Sequence, residues 1–420
     1  MTVQLTHSID LVRVYGRSQC RRAYEIRDFL SRSVVHYSWT AVDTDLACVD
    51  ELGLSLAQAN LPIVDLPDGT RLYSPSVADI ARRLGWVRAP ELAEYDLTIY
   101  GAGPAGLSAA VYAASEGLSV AVLEREAVGG QAGYSSLIEN YLGFPNGISG
   151  GELAERARQQ AVSFGAELLQ MRDGLRARFV DDHVHTTLSD GTTIVSRASI
   201  CATGVEWRRL GLEHEDAFIG CGLFYGAGTS EAPTCHELDV YVVGGGNSAG
   251  QAAMNLSAYA KRVVMLVRGA SLASTLSAYL ENRVVAQPNI EIRTNTRVVG
   301  LDGDNGLGAI HLENTRTGER YTAATERLFV CIGGDPATEW ADGTPTVRDS
   351  HGFLVTGPDL DITSPTTHWP LRRDPFYLET SIPGSFAAGD VRRNSVKRVA
   401  SAVGEGAMAV TFVHHHLTTG

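Results

Sequence analysis

The chain of 420 residues is 44% hydrophobic and 20% charged, a composition typical of globular proteins with several hydrophobic cores. A formal net charge of −13 disfavours binding to nucleic acid or to an acidic membrane surface. No segment reaches the roughly twenty apolar residues of a membrane span, and the first residues lack the features of a secretion signal, so we expect no membrane partner and a cytoplasmic location.

Residues 1–88 are predicted to form a separate domain with a βαβ-ββα order. The predicted elements are a strand at 10–15, a helix at 20–33, strands at 34–42 and 61–65, a turn at 68–69 and a closing helix at 76–84. This order, with VYGRSQCRRA leading into the first helix, resembles the glutaredoxin branch of the thioredoxin fold. Pro62 matches the position at which that family holds a cis-proline beside its thiol.

The first glycine-rich motif is GAGPAG at 101–106, which follows a buried strand at 97–100 and opens a helix at 107–115. Gly101, Gly103 and Gly106 allow a tight turn, the approach of the backbone to a pyrophosphate, and close packing of helix on strand. A second strand at 119–123 then delivers Glu124, which is placed to accept hydrogen bonds from an unphosphorylated adenosine ribose. The motif therefore predicts a site for FAD or NAD.

The second glycine-rich motif is GGGNSA at 244–249, between a strand at 240–243 and a helix at 248–259. Its candidate nucleotide-binding residues are Gly244, Gly246, Asn247, Ser248 and Ala249. The next strand, 263–267, is followed by Arg268 instead of an acid. An arginine there can hold a 2′-phosphate, which favours NADPH over NADH; the alternative is a simply solvated side chain.

Strands and helices alternate through the remainder of the chain, which predicts an α/β fold with two Rossmann-like domains. We expect the FAD domain at 96–215 and 335–420, with the NAD(P)H domain inserted at 216–334. The six cysteines include no CxxC pair and no metal-ligand spacing. The run of histidines at 414–416 lies in a predicted helix without partner ligands, so no metal site is expected.

Several motifs occur together and in order from residue 96 onward: GAGPAG, GGQ at 129–131, IENYLGFP at 138–145, ATG at 202–204, GGGNSA and FAAGD at 386–390. Together they resemble the low-molecular-weight thioredoxin reductases. The resemblance implies an enzyme that uses FAD and NADPH, transfers hydride from NADPH to the flavin, and forms a homodimer.

The resemblance also implies roles for individual residues. The ADP half of FAD would lie against the first motif and Glu124, Gln131 and Asn140 would lie along the flavin, Asp390 would bind the ribitol, and the helix starting at Val399 and Ala400 would point its positive end at the flavin. The full set expected to contact FAD is Gly101, Gly103, Gly106, Glu124, Gly130, Gln131, Asn140, Thr203, Gly204, Gly389, Asp390, Val399 and Ala400.

The chain departs from this family where a redox-active CxxC is expected, about fifteen residues before the second motif. Residues 225–231 read YGAGTSE and contain no cysteine, and exchange with a disulfide needs both an attacking and a resolving thiol. Glu231 lies close to the family's proton-donating acid, although an exposed loop glutamate is an alternative interpretation. Cys221 and Cys235 flank the gap and form either a replacement pair or two small buried side chains.

The N-terminal domain keeps only the first cysteine of the glutaredoxin-type CxxC. Cys20, at the start of a predicted helix and beside Arg17, Arg21 and Arg22, is a candidate reactive monothiol. A domain that kept the fold for docking or dimer formation but lost the chemistry is the alternative that we favour.

The sequence thus predicts an oxidoreductase in which NADPH reduces FAD and electrons pass directly to a small molecule or a redox protein. Three alternatives stay open: a ferredoxin or flavodoxin–NADP reductase of the thioredoxin-reductase type, a redox-sensing protein that binds FAD and NADPH, and a disulfide reductase that uses Cys20. Such ferredoxin reductases often cover the flavin with a C-terminal aromatic side chain, and this tail offers only Phe412.

Overall fold

The structure is a computed structural model that describes residues 11–180, 182–272, 276–364, 367 and 369–419. Two compact units make up the chain: one joins Met1–Arg83 to Leu210–Ile332, and the other joins Leu84–Arg209 to Gly333–Gly420. Across the described residues, no helix combines the length and the hydrophobicity needed to cross a bilayer.

The first segment of the chain folds as a small domain with one mixed sheet in the strand order β2-β1-β3-β4. Strand β1 is parallel to β2 and antiparallel to β3, and β3 is antiparallel to β4. The elements of this domain are β1 (Val12–Gly16), α1 (Arg21–Arg32), β2 (Tyr37–Ala41), α2 (Asp45–Leu52), β3 (Ile63–Asp65), β4 (Arg71–Tyr73) and α3 (Val77–Arg83).

The sequence prediction and this domain differ at α2 and at the start of β2. Helix α2 was not predicted, and β2 starts later than residue 34 because Val34 has a φ of 54° and the N–H of Val35 still bonds the carbonyl of Leu30 in α1. Residue 10, the expected start of the first strand, lies outside the described residues. The Leu61–Pro62 peptide bond is cis.

The second segment, from residue 84 to 209, begins with the first glycine-rich motif between strand and helix. Its elements are β5 (Glu94–Tyr100), α4 (Pro104–Ser115), β6 (Val120–Glu124), α5 (Gly150–Ser163), β7 (Glu167–Gln170), β8 (Gly174–Val180), β9 (His183–Leu188), β10 (Thr193–Cys201) and β11 (Val205–Trp207).

The third segment, from residue 210 to 332, carries the second motif. Its elements are α6 (Glu215–Phe218), β12 (Leu223–Tyr225), β13 (Asp239–Val243), α7 (Asn247–Ser257), β14 (Arg262–Leu266), α8 (Ala278–Ala286), β15 (Ile290–Arg293), β16 (Thr296–Asp302), β17 (Ala309–Asn314), β18 (Arg320–Ala324) and β19 (Leu328–Val330). The last segment returns to the second unit with β20 (Gly334–Pro336), β21 (Ser385–Ala387) and α9 (Val399–Thr419).

Each unit contains one Rossmann-like sheet. In the second unit the order is β7-β6-β5-β10-β9-β8, with β21 also on β10, and the strands β7, β6, β5, β10 and β21 are mutually parallel. In the first unit the order is β12-β19-β13-β14-β15, all parallel. Because ligands of such sheets bind beyond the carboxyl ends of the parallel strands, the two glycine motifs lie at the expected edge of each sheet.

The core of the second unit explains why its central elements read as apolar in sequence. Helices α4 and α9 pack together over β5 and β10, and small side chains such as Ala109 and Ala113 let them come close. Phe386 of β21 is fully buried in the same cluster. This packing joins the two segments of the second unit around the first glycine motif.

Candidate nucleotide sites and thiol groups

The first glycine motif is built so tightly that no larger residue fits at two of its positions. Gly101 has a φ of 99°, and a β-carbon there would lie 2.5 Å from the carbonyl oxygen of Ala202. A β-carbon on Gly106 would lie 1.8 Å from the carbonyl oxygen of Gly101. Gly103 is the N-cap residue of α4 and brings no side chain to cap the helix. The free N–H groups at the start of α4 therefore suit a pyrophosphate.

Glu124, the last residue of β6, is 8% exposed and is oriented by the backbone. One carboxylate oxygen accepts from the N–H of Ala102 (2.9 Å) and the other from the N–H of Glu126 (2.8 Å). The carboxylate is thus held directly beside the glycine motif, at the position that a ribose takes in Rossmann-like folds.

The GGQ loop is in contact with the same motif. The N–H of Gly129 donates to the carbonyl of Ala102 at 2.8 Å, and a β-carbon on Gly130 would lie 3.2 Å from Cα of Gly103. The side-chain amide of Gln131 donates to the carbonyl of Val205. The loop and the glycine motif therefore form one continuous backbone surface.

Thr203 and Gly204 follow β10 on the other side of the motif. A β-carbon on Gly101 would lie 3.2 Å from Cα of Thr203, whose hydroxyl donates to the carbonyl of Ala337 at 3.4 Å. Gly204 has a φ of 67°, a conformation that glycine adopts without strain.

The FAAGD motif at 386–390 contacts the first glycine motif through Gly389. A β-carbon on Gly389 would lie 2.9 Å from Cβ of Ala105, and the N–H of Gly389 donates to the carboxylate of Glu405 at 2.7 Å. Burial raises the pKa of Asp390, against the attraction of Lys397, and burial lowers the pKa of Lys397. The Lys397 ammonium donates to the backbone carbonyl of Asp390.

Sequence reasoning missed Lys397 and Glu405, which hold the Gly389–Asp390 turn. Glu405 also forms a buried ion pair with Arg392 at 2.7 Å. No periodicity in the sequence marks loop contacts of this kind, so neither residue could be identified from the sequence.

The remaining three residues predicted to contact FAD lie at the start of α9 and just beyond Ile138. Val399 and Ala400 form the first turn of α9, half-buried and exposed respectively. Asn140 is exposed and lies two residues beyond Ile138, which bridges to Ile148.

The second glycine motif repeats the construction of the first. Gly244 has a φ of 140°, and a β-carbon there would lie 2.3 Å from the carbonyl oxygen of Cys331 and 2.9 Å from Cβ of Ala249. Gly246 is the N-cap of α7 without a side-chain cap. Asn247 accepts from the N–H of Ser277 at 2.9 Å, and Ser248 is exposed.

Arg268 lies two residues beyond β14 and is exposed. Its place at the carboxyl edge of the sheet fits contact with a 2′-phosphate, and the exposure is equally compatible with solvation.

The segment 225–231, where the sequence analysis expects a CxxC, is packed against the N-terminal domain. Gly228 has a φ of 60°, and a β-carbon there would lie 2.1 Å from the ring of Phe329. Glu231 is 1% exposed and pairs at 3.2 Å with Arg27 of α1, which is also 1% exposed. Burial raises the pKa of Glu231, although Arg27 and Arg327 oppose the shift. Glu231 is therefore neither an exposed loop residue nor open to a substrate.

The cysteines are all free thiols. Cys235 is buried and donates to the carbonyl of Glu231 at 3.4 Å. Burial raises the pKa of half-buried Cys221, the nearby backbone N–H of Arg21 opposes this shift, and nearby Cys20 adds to it. The structure thus places Cys221 beside Cys20 of the N-terminal domain, a neighbour that the sequence did not indicate.

No group of three or more potential metal ligands occurs among the residues that the structure describes. Nε2 of His414 lies 2.7 Å from a carboxylate oxygen of Glu116.

Two glycine motifs, each between a buried parallel strand and an uncapped helix, define a protein with two Rossmann-like nucleotide-binding domains. Residues 95–406 match the pyridine nucleotide-disulphide oxidoreductase family. The chain belongs to this family, within its thioredoxin reductase-like branch.

Known relatives support this assignment over most of the chain. A thioredoxin reductase of Treponema pallidum (strain Nichols) is 33% identical over 326 residues, which cover 78% of this chain and 98% of the relative. One of Streptomyces clavuligerus is 34% identical, with 77% and 94% covered. The crystal structure of T. acidophilum thioredoxin reductase has a TM-score of 0.69 at 28% identity and covers 78% of this chain and 100% of that one.

The protein is therefore an FAD-dependent NAD(P)H oxidoreductase, and its cofactors are FAD and NADPH. The glycine motifs fit these groups, because β-carbons would fill the space that both backbones need at Gly106 and Gly244. The N-terminal domain lies outside the family match, which starts at residue 95.

Proposed function

We propose that this enzyme passes electrons to its acceptor without a CxxC of its own beside the second glycine motif. The acceptor is a small molecule or a redox protein. Bound FAD and NADPH supply the hydride transfer, and the residues of the chain bind and orient them. The relatives are named thioredoxin reductases, but the thiol pair on which exchange with a disulfide depends is missing from residues 225–231.

One observation carries this proposal. The buried pair of Glu231 and Arg27 occupies the segment in which the family's dithiol is expected, and α1 packs over it. Separating a charged pair that is nearly inaccessible to water has a high free-energy cost, because each unpaired ion would carry a desolvation penalty of several kcal/mol. This segment is closed to an incoming disulfide substrate.

We further propose that FAD binds along the first motif. The N-terminal N–H groups of α4 would hold the pyrophosphate, Glu124 the ribose, and the turn at Gly389 and Asp390 the ribitol. Gly130, Gln131, Asn140, Thr203, Gly204, Val399 and Ala400 would line the rest of the site. NADPH would bind at the start of α7, with Arg268 on its 2′-phosphate.

The test separates cofactor reduction from thiol chemistry. We expect anaerobic mixing with NADPH to bleach the flavin absorbance, and turnover with quinones, ferricyanide or ferredoxin to survive alkylation of the accessible thiols by N-ethylmaleimide. Loss of turnover with every acceptor after alkylation, at unchanged FAD content, would show that electrons pass through cysteines. A flavin that NADPH does not bleach would contradict the proposal at its first step.

The ferredoxin reductase alternative is disfavoured by Phe412. Its ring stacks on that of Phe376 with centroids 5.6 Å apart, and it packs against the core of the second unit. An aromatic side chain held in this way is not available to cover the flavin. Turnover with ferredoxin at rates well above those with quinones would reverse this preference. Absence of turnover above the free-flavin rate with any acceptor, oxygen included, would favour the redox-sensing alternative.

We also propose a cytoplasmic homodimer, as the family resemblance implies. Light scattering coupled to size-exclusion chromatography of the FAD-loaded protein tests the dimer, since a monomer would give half the expected mass.

A further inference from the structure

Helix α1 docks on the NAD(P)H domain through residues spaced along one face. Tyr24 packs on Phe224 with ring centroids 5.0 Å apart, and Arg27, three residues further, pairs with Glu231. Tyr24 is also packed against the buried core cluster of that domain. One face of α1 therefore packs on the NAD(P)H domain.

The backbones approach most closely where α1 begins. A β-carbon on Gly220 would lie 2.9 Å from Cα of Arg21, and a β-carbon on Gly306 would lie 1.9 Å from the side-chain oxygen of Gln19. Gly306 is also close to the carbonyl oxygen of Cys221, and Leu307 donates to that oxygen at 2.8 Å. Arg21, which follows Cys20, is thus in contact with Gly220, which precedes Cys221, and Gln19, which precedes Cys20, is in contact with Gly306 beside the Cys221 carbonyl.

Both thiols lie close to this contact. Cys20 and the backbone N–H of Arg21, which follows it, are both near enough to Cys221 to shift its pKa. Cys20 is the N-cap residue of α1, its side chain makes no capping hydrogen bond, and it is half-buried like Cys221. Cys48, Cys201, Cys235 and Cys331 are fully buried by comparison.

We propose that Cys20 and Cys221 form a two-thiol site that reacts with low-molecular-weight disulfides and closes as a reversible disulfide between the N-terminal domain and the NAD(P)H domain. The site replaces the CxxC that each domain lacks with one cysteine from each. It needs neither FAD nor NADPH for this reaction.

The reaction balances in two steps. The thiolate of Cys20 attacks one sulfur of the substrate disulfide, releases the first thiol and forms a mixed disulfide. The thiolate of Cys221 then attacks the Cys20 sulfur, releases the second thiol and leaves the Cys20–Cys221 disulfide. The protein loses two electrons and two protons, and the substrate disulfide gains them. A dithiol reductant returns the pair to the reduced state.

Cys20 is the attacking residue in this scheme and Cys221 the resolving one. Burial disfavours the thiolate of Cys221 and raises its pKa. The N–H of Arg21 offsets only part of this rise. The resolving step tolerates a poorer nucleophile because its target sulfur is already adjacent.

The experiment treats reduced, desalted, FAD-loaded protein with glutathione disulfide, followed by non-reducing digestion with trypsin and mass spectrometry. Cleavage isolates Cys20 in residues 18–21 and Cys221 in residues 210–261. We expect these peptides to be linked, two of the six thiols to be lost from the unfolded protein, and both changes to reverse with dithiothreitol.

Three variants make the result specific. Cys221→Ser should stop at glutathionylated Cys20, and Cys20→Ser should give no link. Cys235→Ser is the matched control, because residue 235 lies in the same tryptic peptide as Cys221, and it should keep the link. The proposal would be overturned if the wild-type protein carried only mixed disulfides or did not react. Loss of the Cys20–Cys221 link in the Cys235→Ser variant would overturn it as well.

Discussion

At the scale of single residues, the least expected feature is an ion pair between residues 204 positions apart in the chain. Arg27 and Glu231 are almost completely buried, and the guanidinium of Arg27 also lies 4.1 Å over the ring of Trp39. Pairs of this kind add little net stability, but removal of one partner leaves a buried charge without compensation. Packing of α1 on the NAD(P)H domain therefore depends on both partners of the pair being present.

Arg27→Met is expected to lower the free energy of unfolding of the first unit by about 3–5 kcal/mol, because buried Glu231 loses its ion-pair partner and keeps only the attraction of Arg327. The double change Arg27→Met with Glu231→Leu should recover most of this loss. Urea unfolding followed by tryptophan fluorescence measures both. Arg71→Met, which removes an exposed pair with Asp65, is the control at about 0–1 kcal/mol. Equal losses in the single and double variants would mean that the pair is not coupled.

The reactivity of Cys221 should depend on pH in a direction that follows from its burial. Its raised pKa means that the thiolate is scarce near neutral pH and accumulates only above the ordinary thiol value of about 8.5. In the Cys20→Ser variant, we expect alkylation by iodoacetamide to reach half its maximal rate above that pH. Mass spectrometry of peptide 210–261 follows the reaction. A midpoint below that of a free cysteine peptide would contradict the burial seen here.

Arg268 offers a direct test of coenzyme preference. If its guanidinium contacts the 2′-phosphate, Arg268→Ala removes charge-assisted hydrogen bonds worth roughly 1.5–3 kcal/mol, and the KM for NADPH should rise about 10- to 100-fold. The KM for NADH serves as the internal control and should change little. A parallel change for both coenzymes would place Arg268 outside the phosphate site.

At the scale of elements, the helices and strands that could be predicted were those with a clear hydrophobic pattern in the sequence. The strands and helices around both glycine motifs were predictable, since β5, β6, β13 and β14 each contain a run rich in apolar residues and the glycines mark the turns. Helix α2 was missed because only Cys48 of its eight residues is buried, so it shows no apolar stripe. The Cys20–Cys221 contact joins distant segments, and no local pattern carries such information.

The first glycine motif permits a matched test of cofactor binding. Gly106→Ala places a β-carbon 1.8 Å from the carbonyl of Gly101, so α4 must move away from β5. We expect the variant to purify with several-fold less FAD, measured as the ratio of flavin to protein absorbance. Gly404→Ala in α9 is the control, because a β-carbon there meets nothing within 4 Å, and it should keep its flavin. Full FAD content in Gly106→Ala would exclude this motif from the FAD site.

At the scale of the molecule, the N-terminal domain belongs to the same compact unit as the NAD(P)H domain. The sequence predicted two separate domains there, and composition gives no sign that Tyr24 is packed against the core of the other. Shared burial implies that the two unfold together.

This shared stability can be measured by hydrogen exchange. NADP⁺ at about 100 times its Kd should stabilise the unit by ≈ 2.7 kcal/mol, and slowly exchanging amides in β1 (Val12–Gly16) should be protected along with those in β13 (Asp239–Val243). Exchange in α4 (Pro104–Ser115) of the other unit is the comparison. Protection confined to residues 210–332 would show that the N-terminal domain opens independently.

The interleaved chain also has a consequence for biosynthesis. The first 83 residues leave the ribosome long before residues 210–332, on which Tyr24 and Arg27 pack. At ~5–20 residues per second this delay is on the order of ten to fifty seconds. During that interval the nascent N-terminal domain displays an arginine and an aromatic ring without their final cover, and a chaperone is well placed to shield this surface until translation is complete.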